Sequence, residues 1–152
     1  MKNLFLFNVA EVQLSYLTKV KASDRPKIAC SRQAEEILRN FWDHSLEHHE
    51  SMHLILLNRA NRVLGVTKLS SGGTSGCIVD VKIIFQYALK ANACGIILAH
   101  NHPSGNTQPS DNDKRLTQKV KEAGMLLDKS LLDHLILTPY DGYYSMADEG
   151  IL

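Results

Sequence analysis

At 152 residues the chain is long enough for one domain with a sizeable core, and 44% hydrophobic with 22% charged residues is ordinary for a soluble globular protein. Its 17 basic and 16 acidic residues leave a net charge of +1, which provides no electrostatic footprint for nucleic acid. No apolar run approaches the length of a membrane span, and the first residues lack the long apolar core and small-residue cleavage site of a signal peptide, so a cytoplasmic location is expected.

Residues 1–25 read as an N-terminal strand segment and 26–152 as the main domain. Residues 4–9 read as one strand. Val12, Leu14 and Tyr16, alternating with Gln13 and Ser15, read as a second, half-buried one. Lys19, Lys21, Arg25 and Lys27 cluster, but Asp24 interrupts them and a solvated link is expected. After a short extended piece at 27–30, Ser31 is expected to cap a helix with Ala34, Ile37, Leu38, Phe41 and Trp42 on its core face. His44, His48 and His49 fall in a polar stretch without a clear acidic ligand set, which reads as a solvated loop rather than a second metal site. Cys30, Cys77 and Cys94 are odd in number and far apart, so buried reduced thiols are expected rather than a zinc ribbon or redox pair.

Glu50 opens an apolar strand that runs to Leu57, residues 58–61 make a turn, and 62–67 return as the hairpin partner. The Gly- and Ser-rich residues 70–76 read as a flexible loop at the border of a substrate groove. They lack the Lys and the glycine spacing of a phosphate-binding loop. Asp80 caps a helix with Val81, Ile84, Phe85, Ala88 and Ala91 on one face. Residues 95–99 form a buried strand that delivers His100. A later helical stripe, Leu116, Val120, Ala123 and Leu127, starts from a Ser110 cap and is expected to end near Gly124. Residues 131–137 and 143–146 then form a hairpin around Asp141-Gly142. Helices alternating with strands, some of them hairpins, give an α/β class: a mixed sheet packed by helices.

The stretch from His100 to Asp113 carries the chemistry. An extended backbone turns residues i and i+2 to one side, so His100 and His102 can face one ion. Pro103 stops the strand, Ser104-Gly105-Asn106 turns the chain, and Asp113 falls in the first turn of the helix capped by Ser110. Two imidazoles and a carboxylate suit one Zn2+ ion with a fourth position open, although iron or manganese also suits the set. Each residue alone has a plainer use, since Ser110 with Asp113 is also a loose capping box. Asp133 and His134 lie on a neighbouring strand. Asp133 is a candidate partner for a ligand imidazole, and His134 reads as a satisfied core histidine.

His-x-His, seven residues, Ser, two residues, Asp resembles the JAMM motif of MPN+ metallopeptidases. The fuller run His100-Asn101-His102-Pro103-Ser104-Gly105, with Pro109-Ser110 and Asp113, resembles the RadC family more narrowly. That likeness continues into 133–136 and 143–145 and covers roughly residues 26–152. The resemblance implies the MPN (JAB) fold, in outline like cytidine deaminases. It implies metal ligands His100, His102 and Asp113. It also places the motif's upstream Glu at Glu50, eight residues before Asn58; Glu47 is a near competitor, and Glu35 and Glu36 fit poorly inside a helix. The expected activity is zinc-dependent hydrolysis of a peptide or isopeptide bond in a peptide or protein substrate. Glu50 is the expected base and Ser110 a donor to the oxyanion. A deaminase itself would need His-x-Glu and Pro-Cys-x-x-Cys, which are not in the sequence. The rival class is a non-catalytic scaffold or a DNA-repair accessory, as the family's historical name suggests. RadC relatives often carry a helix-hairpin-helix region ahead of this domain, for which the chain is too short.

Overall fold

Every residue of strand β1 (Ser51–Leu57) and of β3 (Gly95–Asn101) is buried, so both strands must be covered on two faces and flanked on two sides. A computed structural model, which describes residues 10–73 and 78–152, shows how. The two strands sit side by side inside a five-stranded sheet of order β2-β1-β3-β4-β5. β2 (Val63–Ser71), only half-buried, takes one edge, and the short β5 (Tyr143–Ser145) takes the other beyond β4 (Ser130–Leu137). Only β3 and β4 pair in parallel, as their separation by a helix requires; β1 with β2, β1 with β3, and β4 with β5 are antiparallel.

Strand alternation divides the core in two. Met52, Leu54 and Leu56 of β1, with Ile96 and Leu98 of β3, pack under helices α2 (Val81–Lys90) and α3 (Asp111–Leu126) through Ile84, Phe85, Ala88 and Val120. Ile55, Leu57, Ile97, Ala99, Leu135 and Leu137 face the other way, against Ala34, Leu38 and Trp42 of helix α1 (Ser31–Phe41) and its end. Helices thus cover a mixed sheet on both faces, as the JAB/MPN fold requires.

Several local expectations are corrected. The strand expected at 4–9, Cys77 and part of the 70–76 loop lie outside the described residues, while Ser70 and Ser71 belong to β2. Val12 and Leu14 are 87% and 84% exposed and pair with no strand among the described residues, because alternation alone does not provide a neighbour to bond. Tyr16 is tied down, its hydroxyl donating to the Leu64 carbonyl at 2.5 Å. Ser31 is the first residue of α1 rather than its cap, and its hydroxyl donates to Asp148 instead. Phe41 is 49% exposed, and the core face of α1 takes in Glu35, 3% exposed, in its place. Glu35 pairs with Arg39, whose guanidinium also donates to the carbonyls of Thr138 and Gly142 at the β4–β5 turn. A buried ion pair of this kind has no signature in apolar periodicity.

Residues 44–47 form a short 3-10 turn, with Asp43 accepting from the Ser45 amide and Ser45 buried, while His44 and His48 are exposed as expected of a solvated stretch. Cys30 is exposed and Cys94 only part-buried; both are free thiols. The helix ends near Gly124 as expected, two residues on at Leu126. A Cβ on Gly124 would meet the Lys129 carbonyl oxygen, so the glycine permits a close approach as the chain turns back through Asp128 at φ 53°. Leu127 lies just past the helix and is 40% exposed.

Candidate metal centre

His100 pairs with Met52 of β1 and with Ile136 of β4, which puts its ring on the α3 side of the sheet. His102 lies just past the strand, where its backbone N–H donates to the Leu137 carbonyl at 2.8 Å. Asp113 comes from the first turn of α3. Its carboxylate Oδ2 accepts from the Ser110 hydroxyl and backbone N–H, each at 2.7 Å, while its own N–H donates to Ser110 Oγ at 3.1 Å. This reciprocal capping box fixes the helix end and the ligand carboxylate together.

The three side chains converge. Nε2 of His100 lies 3.0 Å from Nε2 of His102 and 3.3 Å from Oδ1 of Asp113, and His102 Nε2 is 3.8 Å from Asp113 Oδ2. All three donor atoms lie within 4.8 Å of one another. His44, His48 and His49 form no such group among the described residues.

Proton placement follows from hydrogen-bond partners. His102 Nδ1 faces the Asn106 carbonyl at 2.6 Å, which can only accept, so Nδ1 carries the hydrogen and Nε2 keeps its lone pair. For His100 the chain of partners is longer. The Thr117 hydroxyl donates to the Asp113 backbone carbonyl at 2.7 Å and therefore accepts from His134 Nδ1 at 2.6 Å. His134 Nε2 then accepts from His100 Nδ1 at 2.8 Å, which leaves His100 Nε2 as a lone-pair donor. Two such lone pairs 3.0 Å apart, beside a carboxylate, make a pocket suited to a cation. The donor set therefore fits a divalent metal with an open position.

The electrostatics show that the cluster favours positive charge. Burial alone would raise the Asp113 carboxyl, but the neighbouring His100 and His102 rings, and then the Ser110 hydroxyl, hold it well below the usual carboxylate range. Asp113 raises His102, against the opposing effect of burial, and the Asn106 carbonyl and the Glu50 charge add to the rise. Complete burial drives His134 well below its ordinary value, so it stays neutral, as the proton chain requires.

A cavity of about 600 Å³ opens beside these ligands. Glu50, His100, His102, Ser110 and Asp113 all line it. Glu50 sits one residue before β1, its carbonyl accepting from the Gly72 N–H at 2.8 Å. The competing glutamates do not line this cavity: Glu47 lies in the 3-10 turn, and Glu35 is paired on the far face of the sheet.

Asp133 is not a partner of the ligands. It is paired with Ile97, on the α1 face, where it accepts from Ser145 Oγ at 2.6 Å and from the backbone N–H groups of His134 and Ala147. His134, one residue on, has the opposite parity and takes the role given to Asp133. Thr117 was not anticipated, although a threonine in line with the apolar stripe of α3 is a visible anomaly. Asn101, between the two histidines, has no sequence signal of its own.

Sheet order, helices on both faces and this ligand cluster define a JAB/MPN-type domain with a candidate metal centre. A family model described as "RadC-like JAB domain" matches residues 28–151, and the chain belongs to that family. It is similar to proteins called UPF0758. One from Flavobacterium johnsoniae is 50% identical over 103 residues, covering 68% of this chain and 44% of the relative. Another, from Porphyromonas gingivalis, is 46% identical over 103 residues, covering 68% and 45%, and one from Thermotoga maritima is 38% identical over 103 residues, covering 68% and 46%. The matched region spans less than half the length of these relatives. Among the described residues no helix is long and apolar enough to cross a membrane.

Proposed function

We propose that this domain is a zinc-dependent hydrolase of the JAMM type that cleaves a peptide or isopeptide bond with water. The observation that carries the reading is the convergence of two lone-pair imidazole nitrogens and the Asp113 carboxylate on a cavity that Glu50 also lines. Zinc supplies a Lewis acid that makes water acidic enough to act near neutral pH. Glu50 takes the proton from the attacking water and passes it to the nitrogen of the leaving amine as the C–N bond breaks. Water's oxygen ends on the acyl carbon, so the products are a carboxylate and an amine. Ser110 anchors Asp113 in the resting site. Its hydroxyl, on the cavity wall, is the donor for the oxyanion of the tetrahedral species. Free thiols at Cys30 and Cys94 suit a reducing compartment, and we place the activity in the cytoplasm.

The test is hydrolysis of quenched-fluorescent peptide and isopeptide libraries by zinc-loaded protein, wild type beside Glu50→Gln. The variant should bind one zinc equivalent and lose at least about a hundredfold in rate, the scale of a general base. A Glu50→Gln protein as active as wild type removes the base assignment, and a wild type that takes up no zinc removes the whole reading.

A further inference from the structure

Between the two ligand histidines stands Asn101, 0% exposed, on the opposite face of β3. The carboxamide of a buried asparagine needs partners for one acceptor and two donor hydrogens. Here all of them go to one segment. Oδ1 accepts from the Ser51 backbone N–H at 2.8 Å and lies 3.4 Å from the Ser51 hydroxyl. Nδ2 donates to the carbonyls of Leu46 at 2.9 Å and His49 at 3.0 Å. Two of these bonds fall on the residues immediately before and after Glu50, and the third on Leu46, while the Glu50 carbonyl is held by Gly72.

We infer that Asn101 is a positioning residue that sets Glu50 relative to the metal. The inference rests on the proposed hydrolase and deepens it. Alternation at the end of one strand aims His100 and His102 to one side and this carboxamide to the other. The backbone that carries the ligands therefore also grips the backbone that carries the base, so base and ion move as one body. Residues 46–49 precede the sheet and have no ladder bonds of their own, which leaves the carboxamide as their tie to β3. Catalysis needs such a tie, because a base displaced by about 1 Å costs on the order of a hundredfold in rate.

Cobalt-loaded protein provides a readout independent of turnover, since paramagnetic NMR shifts report where each nucleus lies relative to the ion. Asn101→Ala should still bind one cobalt equivalent through the untouched ligands and keep the wild-type shifts of Leu98 and Leu135 amides. The shifts of the His49, Glu50 and Ser51 amides should move or broaden, with partial recovery in Asn101→Asp, which keeps the Oδ1 acceptor. Cobalt-bound Asn101→Ala with wild-type shifts at Glu50 overturns the inference alone. A wild type that binds no cobalt overturns the inference together with the metal reading. A wild type Glu50→Gln rate in the hydrolysis test removes the base and this inference with it. Amide exchange on the wild type covers the case of an unfolded variant: Ser51 N–H should be as protected as the interior of β1, and exchange at the rate of an exposed loop overturns the tie.

Discussion

His53 makes acid stability a quantitative test of the fold beside the candidate site. It lies on β1, 1% exposed, with its ring 3.9 Å from that of Trp42 between centroids. Among the described residues its Nδ1 has no hydrogen-bond partner. Burial, with the charge of Lys68 acting in the same direction and Asp43 opposing, lowers it from 6.5 to about 4. The unfolded chain therefore takes up this proton near pH 6.5, and the folded one only near 4, so stability is full above the unfolded value and falls as pH drops between the two. Linkage between those values costs on the order of 1 kcal/mol at pH 5.5 and roughly 2–3 kcal/mol at pH 4.5, against nearly nothing at pH 7.5. His53→Leu removes both the titration and the unpaired nitrogen while keeping an apolar body against Trp42. At pH 7.5 it should match wild type within about 1 kcal/mol. The measurement is urea unfolding followed by the fluorescence of the single tryptophan, with a chelator present so that metal release does not contribute. The variant's advantage should grow by about 1 kcal/mol or more between pH 7.5 and 5.5. Parallel loss of stability in the two proteins over that range refutes the buried, neutral histidine.

Three further substitutions test the same packing. Gly124→Ala should gain about 1 kcal/mol of helix propensity yet lose about 1–3 kcal/mol to the Lys129 carbonyl. The expected result is a melting temperature a few degrees lower, whereas an unchanged or higher one shows that the turn can yield. His134→Ala should weaken zinc binding by about 10–100-fold in a chelator competition, because His100 loses the acceptor that fixes its tautomer. Asp133→Asn, on the other face of β4, should leave that affinity within about twofold of wild type, and equal losses in both variants would return Asp133 to the site.

The candidate ligand set was legible because it is local. His100 and His102 need only an extended backbone, and Asp113 only a helix capped at Ser110, so fourteen consecutive residues specify most of the geometry. The helix over residues 81–90 was legible for the same reason, since its cap at Asp80 and the face Ile84, Phe85 and Ala88 are both local patterns. Family likeness added Glu50, which the structure places in the same cavity although it lies in a distant part of the chain.

Which neighbour each face would meet was decided elsewhere. The parity that separates His134 from Asp133 depends on the register of β4 against β3, including its irregularity between Ile96 and Ile97. A one-residue slip there would exchange the two side chains. Glu35 displaced Phe41 from the core of α1 because Arg39 and the β4–β5 turn were there to neutralise it, and Val12 and Leu14 stayed exposed because no strand among the described residues pairs with them. Order along the chain dictates periodicity and caps, which are short-range steric and hydrogen-bonding matters. Pairing partners, register and the tie from Asn101 to the Glu50 segment depend on free-energy differences between whole packings, and only the assembled fold resolves those.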